Sequence, residues 1–293
     1  MRLIIQPHFL FKGTSLPSII SNDMLSIDSA LLDFKRLDLL AKGDTAIHRL
    51  DPRAKVLVTL AFVVTVVSFG KYELSAVFPF FIFPAVIIAL ADLPVGYIAR
   101  KVAIICPFAV IVALFNPLFD RATMIEFGPL AISGGWISFA SVLIRSALTI
   151  SAALILLCVT GFPSICRAME TLGMPRAFAV QLLFLYRYIF VLAEEGSRVS
   201  RARELRANGK NGLGMKSFVP LLGHLLLRTW LRAERVHMAM LARGFEGNFN
   251  TRHQFTFGRR ETAFLLCWST SFFILRCENL SLLVGSLVTE LFT

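Results

Sequence analysis

Arg176-Ala-Phe-Ala-Val-Gln-Leu-Leu-Phe-Leu-Tyr-Arg-Tyr-Ile-Phe-Val-Leu-Ala-Glu-Glu-Gly-Ser-Arg-Val-Ser-Arg-Ala-Arg-Glu-Leu-Arg-Ala207 reads as one unbroken helix. At 1.5 Å per residue its roughly 30 residues reach ~45 Å, too long for a buried segment of a small soluble domain. The first half is apolar and the second charged, with Glu194 and Arg198 spaced as an i,i+4 pair and Ser197, Arg201 and Glu204 on the wet side. A helix of that make-up runs along a membrane boundary and then leaves it.

A flexible turn follows, Asn208-Gly-Lys-Asn-Gly-Leu-Gly214. Beyond it, Lys216 to Arg243 predicts a second long helix. Leu222, Leu226, Thr229, Ala233, Val236 and Met240 fall at helical spacing, and Arg228, Arg232 and Arg235 make a stripe on another side. The apolar stripe is expected to pack against the first long helix. The arginine stripe fits two uses, anchoring to anionic lipid head groups or meeting a protein. At its end the helix reads Met238-Ala-Met-Leu-Ala-Arg-Gly-Phe-Glu-Gly247. A glycine there suits a helix stop, and Arg243 places a rigid, permanently charged fork at the negative helix terminus. Before both, Ser164 to Thr171 predicts a shorter helix, with Ser164 as its cap and Leu172-Gly-Met-Pro175 as its stop. From Arg187 to Arg260 the chain holds 14 Lys/Arg against 5 Asp/Glu, a net +9 of the whole chain's +11.

The rest of the chain is membrane-like. Of its 293 residues 56% are hydrophobic and 17% charged, and several apolar runs approach the ~20 residues a spanning helix needs. Val56 to Gly70 follows the cations Lys35, Arg36, Lys42, Arg49, Arg53 and Lys55 and should start on the cytoplasmic side. Leu74 to Ala91 carries Pro79 and Pro84 and predicts a kinked span. Val102 to Phe119 follows Arg100 and Lys101, the loop from Asp120 to Gly135 fits the outer face, and Ile137 to Phe162 spans with Arg145 inside it. A charge at that depth is costly, so Arg145 should face another helix or the interface near the outer end. Thr262 to Leu275 and Leu280 to Phe292 close the sequence as one span or two short ones. The fold class is an all-α integral membrane protein with about five to six transmembrane helices plus long cytoplasmic coupling helices. Its expected division is 1–53 as an N-terminal cytoplasmic segment, 54–162 as spans one to four, 163–250 as the coupling region and 251–293 as a C-terminal membrane segment.

Several functions find no footing. Residues 1–21 lack a compact apolar run with a small-residue cleavage site and do not read as a signal peptide. Cys106, Cys158, Cys166, Cys267 and Cys277 show no C-x-x-C pairing and mostly sit in apolar runs, as small hydrophobes do. No phosphate-binding loop accompanies Gly70-Lys71 or Gly209-Lys210, so the chain is not expected to be its own ATPase. His8, His48, His224, His237 and His253 form no pair at ligand spacing with carboxylates, so no metal site is expected. The spans carry almost no groups for intramembrane catalysis. A stand-alone secondary transporter would show internal repeats, and none is visible. Nucleic acid is not an expected partner, because the basic residues alternate with apolar stretches rather than exposed aromatics.

Three segments carry a family resemblance. Leu50-Asp-Pro-Arg-Ala-Lys-Val-Leu-Val-Thr-Leu60 resembles the N-terminal signature of the T component of energy-coupling factor (ECF) transporters. So does Tyr186-Arg-Tyr-Ile189 followed by Glu194-Glu195 and an Arg/Ala run ending in glycine, and Ala242-Arg243-Gly244-Phe245 matches completely. The resemblance covers roughly residues 40 to 280. It implies a membrane scaffold whose coupling helices form an X and set Ala-Arg-Gly ends into grooves of two ATPase subunits. The implied partners are those two ATPases, a substrate-binding membrane (S) subunit, a small accessory membrane subunit and the bilayer. On this reading the chain binds no cofactor itself: the ATPases hold ATP and the partner membrane subunit holds the cargo.

The implied docking residues are Ala242, Arg243 and Gly244 at one end, and Arg203, Arg206 and Gly209 at the other. There the motif is imperfect. Either Arg206 is the coupling arginine with altered neighbours, or Ala207-Asn208-Gly209 occupies its place; Arg206 is preferred, because a guanidinium makes bidentate contacts with carboxylates that an amide does not. The long N-terminal extension and the Ala242 to Gly247 ending are most similar to the cobalt/nickel (CbiQ-type) branch, with a vitamin-type importer as the alternative.

Overall fold

The computed structural model describes residues 33, 36–70, 73–119, 123–127, 130–206, 215–245, 247 and 257–277. Nine α-helices account for most of these: α1 Pro52–Val67, α2 Leu74–Val77, α3 Ile82–Leu90, α4 Val95–Phe119, α5 Gly134–Thr160, α6 Phe162–Thr171, α7 Arg176–Arg206, α8 Met215–Ala242 and α9 Arg259–Cys277. A 3₁₀ turn, Phe78–Phe81, joins α2 to α3, and an antiparallel ribbon of β1 Thr123–Phe127 and β2 Leu130–Ser133 joins α4 to α5. The protein is a helical membrane protein, and the small ribbon stands where the sequence suggested only a loop. The chain divides into two compact units, residues 35–186 with 247–293, and residues 1–34 with 187–246.

In the first unit the Asp-Pro pair of the sequence signature proves to be a helix start. Asp51 Oδ1 accepts the Arg53 backbone N–H at 2.8 Å, and Pro52 occupies the first turn, where its missing N–H costs nothing. α1 therefore begins four residues before the apolar run that announced it. Around α1 the bundle packs through Phe62, which stacks on Phe83 with centroids 4.5 Å apart; Phe83 meets Trp268 edge-on at 4.8 Å, and Phe272 completes the cluster. Between lipid-embedded helices such interlocking contacts, rather than water expulsion, hold the assembly.

Helices stand at the described sequence-derived runs, with adjusted limits that have local causes. Leu74 to Ala91 is kinked as expected, the 3₁₀ turn at Pro79 separating two α segments. α4 starts seven residues earlier than expected, straight after Pro94, so Arg100 and Lys101 lie inside the helix. α4, α5 and residues Arg176–Ala202 of α7 are long and apolar enough to cross a membrane, whereas α1, with 16 residues, and Leu74–Leu90 are shorter. Length alone would let α7 span, yet Phe162, just past the end of α5, stacks on Tyr186 at 5.1 Å, and Tyr186 donates a hydrogen bond to Asp38, ahead of α1. The middle of α7's apolar half therefore lies level with the end of the bundle at which α1 begins and α5 stops. The run Leu280 to Phe292 lies outside the described residues.

Arg145 faces the turn that follows α1. From α5 its guanidinium donates to the carbonyls of Phe69, at 2.8 Å, and Gly70, just beyond the Ser68 cap of α1. Arg276 of α9 works at the same place, donating to the Ser68 carbonyl at 3.2 Å, stacking over Phe69 at 4.2 Å and approaching Glu73 at 3.7 Å. Two arginines thus tie the turn that follows α1 to α5 and α9.

The α5–α6 junction corrects the expected Ser164 cap. α6 begins at Phe162, with Gly161 as its cap residue and Pro163 in the first turn, where a missing N–H is harmless. Gly161 has φ 75° and ψ 143°, and a Cβ added there would lie 3.2 Å from the Ala41 Cβ. Gly161→Ala should therefore destabilise the protein by about 1–3 kcal/mol, read as a lower melting temperature in detergent; an unchanged melting temperature would contradict this.

Candidate coupling site

The second unit carries the sequence-predicted docking residues on α7 and α8. α8 runs to Ala242, one residue short of the expected Arg243, and ends on hydrogen bonds that close the chain tightly. The Gly244 N–H donates to the Leu241 carbonyl at 2.9 Å and the Phe245 N–H to the Met240 carbonyl at 3.0 Å. This is a Schellman turn with Arg243 as the half-in cap and Gly244 one step beyond. Gly244 has φ 77°, in the left-handed region, while a Cβ there would meet no atom within 4 Å. Backbone conformation, rather than crowding, selects the glycine. Ala242, Arg243 and Gly244 are all exposed, so the helix end presents a small residue, a guanidinium and a bare turn together. The half-buried Phe245 follows directly.

α7 remains helical through Arg206, which with Arg203 lies on its last turns. Gly209 and the whole Asn208 to Gly214 turn lie outside the described residues. The two framings of the imperfect motif are left to function.

The apolar stripe of α8 departs from expectation. Leu222 is 49% and Leu226 68% exposed, and Ala233 is exposed as well, so half of the stripe lies uncovered rather than packed as the spacing suggested. Trp230, at 72%, is more exposed still. The half-buried positions are Leu225, Thr229, Val236 and Met240, a row sharing three residues with the expected stripe. Helical spacing locates an apolar face, but it does not say whether that face is covered by the same chain. What joins α8 to α7 is an ion pair, Arg228 Nη1 to Glu195 Oε1 at 2.6 Å. Arg228 is the fourteenth of α8's 28 residues and Glu195 the twentieth of α7's 31. Of the arginine stripe, Arg235 also donates to the Leu231 carbonyl of its own helix at 3.1 Å, and Arg232 is exposed. The anticipated Glu194–Arg198 pair is replaced by the neighbouring Glu195 reaching across to α8. Sequence spacing within one helix carried no sign of that.

The sequence model of the family described as cobalt transport protein, CbiQ, matches residues 43–256, from the elbow before α1 to beyond the α8 turn. The chain belongs to the CbiQ family. It is 30% identical over 218 residues to the energy-coupling factor transporter transmembrane protein EcfT of Heliobacterium modesticaldum, an alignment covering 70% of this chain and 81% of that protein. The EcfT of Thermosediminibacter oceani is 29% identical over 227 residues, covering 71% and 83%. That of Acidaminococcus fermentans is 27% identical over 238 residues, covering 75% and 87%. Family membership makes this chain a T-type transmembrane component of an energy-coupling factor transporter, as the resemblance implied.

Just ahead of α1, residues 40–49 and Lys55 make an electrostatic knot in the first unit. His48 Nε2 lies 3.0 Å from the Leu40 carbonyl, which only accepts, so that nitrogen carries the hydrogen; Nδ1 then accepts from the Thr45 hydroxyl at 2.7 Å. Burial holds the His48 pKa below its ordinary value, in keeping with a neutral ring. Lys55, 5% exposed, turns back to donate to the His48 carbonyl at 3.2 Å. Asp44 and Arg49 form a bidentate surface pair, at 2.9 Å for each bond, and Arg49 holds the Asp44 carboxyl below the usual carboxylate range. The cavity here, lined by Lys55, Thr59 and Thr160 among apolar side chains that include Phe83 and Phe264, measures about 20 Å³. That is room for a water, not for cargo. Among the described residues no three of His, Cys, Asp and Glu come together as metal ligands.

Proposed function

We propose that this chain is the coupling subunit of an ECF-type importer in the cell membrane, with its N-terminus and α7–α8 on the cytoplasmic side. Two separate ATPase subunits hold the ATP, a substrate-binding membrane subunit holds the cargo, and a small accessory membrane subunit completes the assembly. The observation that carries this reading is the exposed α8 terminus, where a Schellman turn fixes Arg243 and bares the backbone at Gly244. ATP binding closes the ATPases, their grooves shift the ends at Arg206 and Arg243, and the crossed helices pass the shift to the substrate-binding subunit. α7, 31 residues and ~46 Å long with no proline within it, is suited to this because tip displacement travels along it with little bending.

The cargo is Co²⁺ or Ni²⁺. Supporting this are the family's description as a cobalt transport protein and the likeness of the Ala242 to Gly247 ending to that branch. Cells expressing the chain with its ATPase and substrate-binding subunits should accumulate labelled Co²⁺ or Ni²⁺, and omitting this chain should abolish the uptake; uptake of a vitamin in place of either metal would overturn the assignment of cargo.

The chain is non-catalytic on this reading. Purified alone, it should neither hydrolyse ATP nor bind Co²⁺ or Ni²⁺ tightly, since it has no phosphate-binding loop and its histidines are scattered. Stoichiometric metal binding in calorimetry of the lone subunit would refute this.

A further inference from the structure

We propose that residues 36–41 brace α7 at Tyr186, and that Asp38, Tyr186 and Phe162 form a fixed fulcrum for the coupling stroke. The inference rests on the coupling reading above and adds positioning residues to it. Tyr186 is the last residue of α7 that belongs to the first compact unit. Its ring stacks on Phe162 with centroids 5.1 Å apart and planes 20° from parallel, and its hydroxyl donates to the Asp38 carboxylate. One side chain is thus fixed both by its face and by its tip. A hydrogen bond to a carboxylate is stronger than one between neutral groups, and it has a defined direction.

The brace is itself anchored at several points. Residues 36–40 are helical, Leu37 and Leu40 pack against the apolar core, and the Leu40 carbonyl takes the His48 Nε2–H at 3.0 Å. The Arg36 guanidinium lies over the Tyr97 ring, 4.8 Å from its centroid, at the start of α4. Ala41 abuts Gly161, whose lack of a side chain lets the segment lie against the α5–α6 junction. Asp38 therefore reaches α7 from a segment held by α4, by the α5–α6 junction and by the elbow before α1.

A lever passes on a displacement only if its pivot does not yield. From Tyr186 to Arg206, α7 runs on for about 30 Å as an unbroken helix free of proline. If the pivot slid, movement of the Arg206 end would be spent in local tilt, and ATP would be hydrolysed without moving cargo. The brace therefore sets how much transport each ATP yields and leaves the hydrolysis rate to the ATPases.

The test uses the complete transporter in proteoliposomes and reads labelled Co²⁺ moved per ATP hydrolysed. Tyr186→Phe keeps the stack on Phe162 and removes the hydroxyl, while Asp38→Ala removes the acceptor. Each should lower the ratio roughly three- to ten-fold, as the loss of one charge-assisted hydrogen bond allows, with assembly and ATP hydrolysis unchanged. The double variant should be no worse than either single one, because both remove the same bond. Asp38→Asn, which still accepts from the phenol, should retain most of the ratio. An unchanged ratio in the single variants, additive losses in the double variant, or a fall in assembled complex at constant ratio would each overturn the brace. Failure of the unaltered chain to join ATPase subunits would instead bring down the coupling reading, and the brace with it.

Discussion

Arg243→Glu should abolish assembly with the ATPase subunits while leaving the chain inserted in the membrane. The Schellman turn sets Arg243 at an exposed helix end, where it makes no ion pair among the described residues, so its charge is available to a partner groove. A cation there suits the negative helix terminus, and an anion does not. Reversal substitutes repulsion for attraction on both counts, a loss on the order of 2–5 kcal/mol if the pair is buried in the complex. That corresponds to binding weakened by about 30- to several-thousand-fold. The substitution leaves the fold alone: α8 stays helical to Ala242 and the left-handed turn at Gly244 is untouched. Pull-down of the ATPases with membranes containing the variant is the measurement, and undiminished recovery would remove Arg243 from the docking site.

Arg206→Ala should impair coupled transport more than Asn208→Ala. α7 keeps helical form through Arg206, so this arginine rides on the lever itself, as Arg243 does at the end of α8. If Arg206 is the docking group, truncating it leaves a partner carboxylate unpaired, which costs about 3–5 kcal/mol where such a pair is buried. Asn208 would lose a helix-end contact of ~1 kcal/mol. The assay is uptake of labelled metal at equal membrane abundance of each variant. A larger defect from Asn208→Ala would move the motif to Ala207-Asn208-Gly209.

The parts of the molecule governed by short-range rules were legible in the sequence. α7 begins at the expected Arg176 and α8 ends within a residue of its expected limit, because proline and glycine signals and helical periodicity are local properties. The kink of Leu74 to Leu90 followed from its prolines. Local readings failed where a neighbouring residue competed for the role. Ser164 looked like a cap, yet Gly161, three residues earlier, starts the helix, and the chain approaches Ala41 so closely there that the absent Cβ matters. Contacts between distant segments could not be read at all. Nothing in the sequence pairs Tyr186 with Asp38, 148 residues away, or Glu195 with Arg228. The exposure of Leu222 and Leu226 was hidden for a related reason, since periodicity is the same for a face covered by its own chain and for one left bare.

The arginine over the end of α1 also sets an order of manufacture. Arg145 is made 76 residues after Phe69, whose carbonyl it satisfies, and Arg276 comes later still. During synthesis neither guanidinium has yet been made when α1 is complete, so the Phe69 and Ser68 carbonyls gain these partners only after α5 and α9 have been translated.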